Sequence, residues 1–361
     1  NLATIAPTSG TLGAFANGST FNVVATVTDA AGNATSDVTT NELRVITTIP
    51  TAPTVNALLT NSTTPTITGL ANLAAGQTLA VVVNGAAYAV VPTGGTWSLN
   101  LATAIPPGSA TPAAALVAGT YNVTATITDA AGNAASDTTT GELVIDITAP
   151  TVTAVTSPTA DGSYRATQTI TIQVQLSKSV IVDTTLGSPT LALNSGRNAT
   201  FVNAVGNVLN FTYSVQNGDT AADLNATALT LNGATIKDSA GNTLTLTLPV
   251  SQATGSLDLN KAIVIDTTAP AAPVVTALTT NVTPPTITGS IGAATLATGE
   301  TLTVVVNGAT YTNVPVTAGV GGANGTWSLN LATIAPTSGT LGAFANGSTF
   351  NVVATVTDAA G

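Results

Sequence analysis

Residues 120–133, TYNVTATITDAAGN, decide the fold class of this 361-residue chain. Tyr121, Val123, Ala125 and Ile127 alternate with Asn and Thr residues, so one face of the segment is apolar and the other is polar. Strict alternation over this length is the pattern of a half-buried β-strand. The Asp-Ala-Ala-Gly-Asn that follows consists of turn-forming residues. The segment therefore predicts a strand and a tight turn.

The same turn recurs along the chain. Thr-Asp-Ala-Ala-Gly-Asn occupies residues 28–33 and 128–133, and a variant, Lys-Asp-Ser-Ala-Gly-Asn, occupies residues 237–242. On a larger scale, residues 1–32 recur without change as residues 330–361. A long identical stretch at a fixed spacing indicates a tandem array in which each unit contacts only its neighbours. We expect the array to continue beyond both ends of this sequence.

A second marker predicts the domain boundaries. Val-Ile-Asp-Ile-Thr-Ala-Pro at 144–150 returns as Val-Ile-Asp-Thr-Thr-Ala-Pro at 264–270, and the corresponding junction one repeat earlier lies at 44–50. These junctions divide the chain into four segments. They are the C-terminal part of one domain (1–46), a whole domain (47–146), a larger variant domain (147–266) and a domain lacking its last strand (267–361).

Strand candidates within each segment predict the fold. About seven strands in about 100 residues is the size of an immunoglobulin-type sandwich. Asn84-Gly85 is a strong two-residue hairpin signal, and Trp97 and Trp327 are expected in the core. The predicted class is all-β, with tandem immunoglobulin-like β-sandwich domains arranged as an extended rod. The candidates are 64–69, 77–84, 86–91, 96–101, 120–128 and 143–145; then 169–176, 190–193, 198–202, 208–215, 228–231 and 243–248; then 283–289, 301–307, 326–329 and 350–357.

The composition argues against several classes of function. Charged residues are 6% of the chain and hydrophobic residues 44%, so it should fold rather than stay disordered. The net charge of −10 repels nucleic acid, and no segment is apolar enough for membrane insertion. Without His or Cys, an enzyme is not expected. Asp219 and Asp223 form a nearby acidic pair, but Asn217-Gly218-Asp219 predicts a turn instead of a catalytic site.

The scarce acids concentrate at the predicted junctions. In a seven-strand sandwich, the hairpin between the last two strands lies at the end where the domain begins. This should bring Asp238 towards Asp146, and Asp358 towards Asp266. Carboxylates that meet in this way favour Ca²⁺, and backbone carbonyls and Asn oxygens can complete its six to eight ligands. Further candidate metal ligands lie in or just after the other turns: Asp29, Asp37, Asp129 and Asp137.

Turn chemistry alone is the alternative explanation for these acids, because Asp, Gly and Asn satisfy local backbone groups in turns. One junction also departs from the pattern, since Ile46 stands where Asp146 stands one repeat later. We therefore expect a weaker or empty metal site at that junction, and a more flexible joint.

Three motifs together resemble a known family. The Asp-Thr-Thr-Ala-Pro linker at 266–270, the Gly-Thr-Trp-Ser-Leu strand at 95–99 and the turn at 128–133 are similar to the bacterial Ig-like repeats of giant Bap-like, type I-secreted biofilm and surface adhesins. The resemblance implies an extracellular stalk on the bacterial cell surface, often stiffened by Ca²⁺. The stalk would project a distal binding region, whose ligand the sequence does not identify.

Two other functions stay open. Exposed Val/Thr strands could pair edge to edge, which would suit a self-assembling extracellular filament or sheath with lateral self-association. An array of carbohydrate-binding modules is the other, although 4% aromatic residues leave little surface on which sugars could stack. For a stalk, the expected partners are the neighbouring repeats of the same chain.

Overall fold

The computed structural model describes residues 5–361, in which β-strands form ten sheets and the only helix has four residues. No helix in this part of the chain is long and apolar enough to cross a bilayer. The described residues form two compact units. One comprises the chain up to Thr148 together with Ser239–Asn242, and the other comprises Ala149–Asp238 and Thr243–Gly361.

Residues 5–46 form two small antiparallel ladders, β1 with β4 and β2 with β3. Their apolar side chains are largely exposed, and Val27 in β2 is 78% exposed. The segment therefore contributes no core of its own in the described structure. The four strands are β1 (Thr20–Phe21), β2 (Thr26–Thr28), β3 (Ala34–Ser36) and β4 (Leu43–Arg44).

Residues 47–146 form a sandwich of short strands around one hydrophobic core. The sheet orders are β10-β7-β5, β11-β14-β6 and β13-β12-β8-β9, with β14 and β6 parallel and the other pairs antiparallel. The strands are β5 (Thr54–Val55), β6 (Leu58–Thr60), β7 (Thr66–Leu70), β8 (Thr78–Val83), β9 (Ala86–Val90), β10 (Thr96–Asn100), β11 (Gly119–Tyr121), β12 (Val123–Thr128), β13 (Ala134–Ser136) and β14 (Leu143–Ile145).

The alternation in residues 123–128 has the predicted structural consequence, but the single strand predicted over 120–128 is divided at Asn122 into β11 and β12, which belong to different sheets. Val123, Ala125 and Ile127 of β12 are buried, whereas the residues between them point away from the core. Asn84 and Gly85 form the predicted hairpin turn between β8 and β9, both with positive φ. Positive φ at both central residues suits the twist of a two-residue hairpin, which is why Asn-Gly is favoured there.

Residues 147–266 enclose the largest cluster of buried hydrophobic side chains among residues 5–361. A six-stranded sheet of order β15-β17-β21-β20-β19-β23 faces two smaller sheets, β16-β25-β22 and β18-β24. The elements are β15 (Val152–Thr156), β16 (Gly162–Tyr164), β17 (Thr169–Leu176), β18 (Ile181–Asp183), β19 (Thr190–Leu193), β20 (Asn198–Val205), β21 (Val208–Ser214), β22 (Thr220–Ala221), β23 (Ala226–Thr230), β24 (Thr235–Lys237), α1 (Leu257–Asn260) and β25 (Ile263–Asp266).

One strand prediction in this segment was wrong. Residues 243–248 make only isolated bridges, at Thr243 with Lys237 and at Thr245 with Thr151. Alternate residues Leu244, Leu246 and Leu248 still face the core, although Leu246 and Leu248 are only partly buried. An alternating pattern therefore predicted the inward face correctly, but the segment meets its neighbours only at single bridges and forms no continuous ladder.

Residues 267–361 repeat the plan of residues 47–146 with fewer strands. Their core lies between the sheets β26-β27-β31-β30 and β32-β29-β28-β33, so β33 forms an edge. The strands are β26 (Val274–Val275), β27 (Thr286–Ser290), β28 (Thr301–Val306), β29 (Ala309–Tyr311), β30 (Val316–Thr317), β31 (Thr326–Asn330), β32 (Ser338–Gly339) and β33 (Val352–Thr357). The predicted all-β fold with several Ig-like sandwiches is confirmed.

Each of the two tryptophans packs on a glycine of the adjacent strand. Trp97 and Trp327 are each 2% exposed, which confirms their predicted core position. Gly69 lies opposite Trp97, and a Cβ on Gly69 would approach the Thr54 carbonyl oxygen to 2.0 Å and the Trp97 Nε1 to 2.5 Å. The indole N–H donates to that same Thr54 carbonyl over 3.0 Å. Gly69 is therefore required for this packing.

We predict that Gly69→Ala destabilises residues 47–146, because overpacking a closed core costs about 1–3 kcal/mol. In a Trp327→Phe background only Trp97 reports, so its fluorescence during urea unfolding follows this domain alone. The neighbouring Leu70→Ala, at a half-exposed position, serves as the control and should shift the midpoint little. Equal shifts for the two variants would contradict the prediction.

Candidate functional site at the acidic turns and linkers

The carboxylate of Asp129 is enclosed by its own turn. Its Oδ1 accepts hydrogen bonds from the backbone N–H groups of Ala131 and Asn133, each at 2.9 Å. Its Oδ2 accepts one from Asn133 Nδ2, also at 2.9 Å. The hydrogen bonds from Asn133 are the main reason that the pKa of Asp129 lies below its usual value. Turn chemistry thus accounts for the Asp and the Asn of this motif.

The identical turn at residues 29–33 has the same internal geometry. Asp29 accepts from the backbone N–H groups of Ala31 and Asn33 at 2.9 and 2.8 Å, and from Asn33 Nδ2 at 2.9 Å. Its pKa is lowered for the same reason, with the Asn33 side chain as the largest cause. The repeated turn thus has the same internal geometry at both positions.

The Asn that ends the turn also contacts a linker. Asn133 Nδ2 donates to the carbonyl oxygen of Ile46 over 2.9 Å, and Asn242 Nδ2 donates to the carbonyl oxygen of Asp146 over 2.7 Å. Ile46 and Asp146 occupy equivalent junction positions, and the acceptor is the backbone in both cases. The contact therefore survives the replacement of Asp by Ile at position 46.

Both linker aspartates cap a local turn. Asp146 Oδ1 accepts from the Thr148 N–H at 3.0 Å, and Asp266 Oδ1 accepts from the Thr268 N–H at 2.9 Å. Both side chains are half-buried. An Asp that accepts from the backbone two residues later restricts the linker by forming an Asx turn. Ile46 lacks such an acceptor, so this particular restraint is missing at the first junction.

Asp37 and Asp137 make a similar contact just after their turns. The Thr39 hydroxyl donates to Asp37 over 2.7 Å, and the Thr139 hydroxyl donates to Asp137 over 2.6 Å. The hydrogen bonds from Thr39 lower the pKa of Asp37. The sequence did not predict these Thr partners, although Asp-x-Thr is the local signal that could have revealed them.

The remaining two candidates differ in their surroundings. Asp238 is buried, and Lys178 Nζ lies 3.5 Å from its Oδ2. Asp358 Oδ1 accepts from the backbone N–H groups of Ala360 and Gly361 at 2.8 and 2.9 Å, and Arg165 donates to the Gly361 carbonyl.

The calcium hypothesis stays a prediction. Within residues 5–361, no group of three or more His, Cys, Asp or Glu side chains is placed to hold a metal ion. The hypothesis itself requires two acids at a junction, with carbonyl, amide or water oxygens as further ligands. In the described structure, neither the Oδ2 of Asp266 nor the Oδ2 of Asp358 accepts a hydrogen bond from the protein, so both oxygen atoms are available to a ligand.

A loop of residues 216–221 holds the junction at Asp266. The Thr267 hydroxyl donates to the carbonyl oxygen of Asp219 over 3.0 Å. The same hydroxyl accepts a hydrogen bond from the Gly218 N–H over 3.0 Å. Strand β22, at the end of this loop, pairs with β25, and Thr220 lies opposite Asp266. The sequence predicted the turn at Asp219 but not its contact with the linker.

The Asp219 side chain fastens this loop to the core. Arg197 Nε lies 2.7 Å from Oδ1, and the Tyr213 hydroxyl and the Gln216 N–H donate to Oδ2 at 2.8 and 2.9 Å. Burial alone would raise the pKa of Asp219, but these three donors outweigh it, and the pKa is lowered. Burial also raises the pKa of Tyr213, to about 12. The carboxylate thus has a clear structural role.

We predict that Asn133→Ala loosens the first junction, whereas Asn33→Ala does not. Both variants lose the Asn–Asp hydrogen bond of their turn, but only Asn133→Ala loses a donor to a linker carbonyl. A hydrogen bond of this kind contributes about 1 kcal/mol, so amide exchange in residues 46–53 should quicken about fivefold. Hydrogen exchange followed by mass spectrometry measures this. Equal exchange in the two variants would exclude the role given to Asn133.

We also predict that residues 147–266 lose stability below about pH 4 because of Asp258. Burial would raise its pKa, but donors from Ser251, Ser256 and the Gln252 N–H lower it to about 2. The depressed folded-state pKa means that the stabilisation is complete above the unfolded value, about 4, and disappears as the pH falls through about 2. The loss should approach about 2 kcal/mol in urea titrations. Asp258→Asn should flatten this dependence, and an unchanged pH profile would contradict the prediction.

Several solved structures are similar to this chain at low sequence identity. Among solved structures, the chain is similar to the Bacteroides ovatus mixed-linkage glucan utilization locus protein SGBP-B, solved with a mixed-linkage heptasaccharide (16% identity, 87% of this chain, 74% of that chain, TM-score 0.18). It is also similar to a marsupial T cell receptor (11% identity, 78% of this chain, 92% of that chain, TM-score 0.20). A third similar structure is dimeric latent PorU from Porphyromonas gingivalis (10% identity, 76% of this chain, 29% of that chain, TM-score 0.20). These low TM-scores carry no argument about the fold or the function of this chain. No curated protein matches the sequence significantly.

The family comparison is more specific. Residues 51–147 match the model of the bacterial Ig-like domain. The matched range contains the sandwich core of residues 55–145 and its buried Trp97. Domains of this family are typical of bacterial surface proteins. Residues 51–147 are thus similar to a bacterial Ig-like domain, and they lie within an all-β chain of several sheets.

Proposed function

We propose that this chain belongs to the stalk of an adhesin on the bacterial cell surface, in which successive Ig-like domains act as spacers. The stalk would carry a distal binding region outward for adhesion and biofilm formation. The observation that carries the proposal is the repeated joint: Asn133 and Asn242 each donate to the backbone of a preceding linker. A spacer needs joints that transmit orientation from one domain to the next, and a backbone acceptor supplies one at the Ile46 junction and at the Asp146 junction.

The interior of the domains also favours a mechanical role. Each of the three sandwich segments encloses a separate hydrophobic core. Separate cores allow units to fold independently, as expected for arrays whose stability is the sum of unit and interface contributions. The two tryptophans are buried in these cores and offer no face on which a sugar could stack. The carbohydrate-binding alternative would therefore need aromatic residues other than these.

Calcium would stiffen the junctions that carry two acids. We place the strongest site at Asp266 and Asp358, with the free Oδ2 atoms as ligands and backbone carbonyls as further oxygens. Extracellular modules bind Ca²⁺ with a Kd of about 10⁻⁴ to 10⁻³ M. At about 100 times the Kd, the ion adds about 2.7 kcal/mol to the folded state. Such a joint would tighten on exposure to extracellular calcium.

Calcium titration of the 361-residue chain tests the proposal. In a Trp97→Phe background, Trp327 reports the domain that follows the Asp266 junction. We expect Ca²⁺ to raise the melting temperature of this transition, and small-angle scattering to show a monomeric, elongated particle that straightens. Asp266→Ala should abolish both effects.

Asp183→Ala is the matched control. Asp183 accepts from the Thr185 N–H over 3.0 Å, as Asp266 does from Thr268, but it lies away from the predicted junctions. This variant should retain the calcium response. If neither calcium nor chelator changes the melting temperature or the small-angle scattering, the metal part of the proposal is refuted. A compact particle at every calcium concentration would refute the stalk.

A further inference from the structure

A groove lies beside the edge of the six-stranded sheet in residues 147–266. Strand β23 (Ala226–Thr230) pairs with β19 on one side, and within residues 5–361 no strand pairs with its other side. Residues 225–229 and residues 246–251 together line a groove of about 510 Å³ next to this strand. Sites for ligands typically have volumes of about 300–1,000 Å³, so the groove is large enough for one.

The backbone on both sides of the groove has free hydrogen-bonding groups. No ladder and no backbone hydrogen bond joins residues 246–251 to β23 in the described part of the chain. The N–H groups of Leu246, Leu248 and Val250 donate no hydrogen bond to another backbone group there. An edge with free N–H and C=O groups is a template for another strand. An extended peptide in the groove would therefore find backbone partners along its length.

The walls of the groove are largely apolar. On one wall, Ala226 and Leu229 of β23 are 4% and 6% exposed. On the other wall, Leu246 and Leu248 are partly buried, whereas Val250 is 73% exposed. Alternate side chains of an extended peptide point to one face, so small or branched apolar side chains at every second position would contact these walls. Their burial would remove apolar surface from water on both partners.

The end of the groove at Asn225 and Ser251 carries an unsatisfied acceptor. Asn225 is 5% exposed, and its buried Oδ1 has no hydrogen-bond partner. It lines the groove together with Ser251, whose hydroxyl donates to the Asp258 carboxylate. A buried acceptor without a donor is costly, so a ligand that supplies an N–H group gains affinity at this point.

The same end of the groove is negatively charged. Asp223 stands two residues before Asn225, and its buried Oδ1 also has no partner. Burial raises the pKa of Asp223, and the negative charges of Asp258 and Asp161 add to this rise. Lys261 pairs with Asp161, its Nζ lying 2.8 Å from Oδ1. In the described structure, neither Asp223 nor Asp258 forms an ion pair. A cationic group is therefore the complement of this end.

We propose that this groove binds an extended segment of a partner protein by β-strand addition, with a basic side chain at the end formed by Asn225 and Ser251. Backbone hydrogen bonds would supply affinity, and the alternate apolar side chains and the basic residue would supply specificity. The net charge of −10 attracts such a segment at longer range. The groove would add peptide capture to a spacer domain, and it depends neither on calcium nor on the junctions.

The heptapeptide Lys-Thr-Val-Thr-Val-Thr-Lys, acetylated and amidated at its ends, serves as the probe. One of its lysines reaches the acidic end of the groove in either strand direction. Calorimetric titration of the 361-residue chain should show binding at a single site, and hydrogen exchange should slow in residues 226–230 and 246–251. Methylation of both valine N–H groups removes the donors of one peptide edge and should weaken binding about tenfold or more.

Charge selectivity is tested in the peptide and in the protein. The probe with Glu in place of both Lys should bind about tenfold more weakly, because its charges meet carboxylates. Asp223→Asn retains an oxygen acceptor but removes one charge, and it should weaken binding of the Lys probe about fivefold. The same variant should bind a probe with Thr at both ends as the unsubstituted chain does.

Two protein variants locate the site. Ala228→Arg blocks the groove, because Ala228 is exposed and lines it, and binding should be lost. Ala87→Arg is the matched control, since it adds the same charge at an exposed alanine of β9, another edge strand, and it should bind the probe normally. Unchanged circular dichroism verifies that both variants fold.

Three results on the unsubstituted chain would overturn the proposal. They are no binding of the Lys probe, binding without slower exchange on either side of the groove, and equal binding of the methylated probe. Equal binding by folded Ala228→Arg would overturn it as well.

Discussion

The structure depends on the burial of small aliphatic side chains between pairs of sheets. The chain has no disulfide, and charged residues are 6% of it, so neither covalent bridges nor ion pairs can replace this burial. Val, Ile and Leu on alternate strand positions supply the inward faces, and their stiff side chains suit a pleated surface. Trp97 and Trp327 add bulk only because a facing strand has glycine at the point of contact.

Polar contacts then decide how each domain meets its linker. The Asp carboxylate of the repeated turn accepts hydrogen bonds from within the turn. The Asn side-chain amide donates both to this Asp and to a backbone carbonyl of the linker. Because the acceptor is a backbone carbonyl, this hydrogen bond does not depend on which side chain the linker residue carries. This explains how an Ile46 junction and an Asp146 junction can share one contact, while only the latter also has an Asx turn.

Sequence identity between repeats has a structural consequence as well as an evolutionary one. Residues 5–46 reproduce the turn and ladder geometry of a complete domain although they lack a core, because these contacts are local. The apolar faces of the same segment are exposed, because their burial requires strands from elsewhere. Local contacts thus fix the register of such segments, whereas burial of their apolar faces depends on strands that are distant in the sequence.

The sequence by itself determined the strand periodicity, the Asn-Gly hairpin, the repeated turns and the burial of both tryptophans, since these follow from local patterning and from the size of apolar side chains. It was wrong at residues 243–248, where alternation exists but no neighbouring strand completes a ladder. Only the tertiary structure decided which groups meet at the linkers. Arg197, Tyr213 and Asp219 converge from separate strands and a turn, and Asn133 reaches Ile46 across 87 residues of chain. Contacts between residues so far apart depend on how strands pair and sheets pack, which no local pattern encodes.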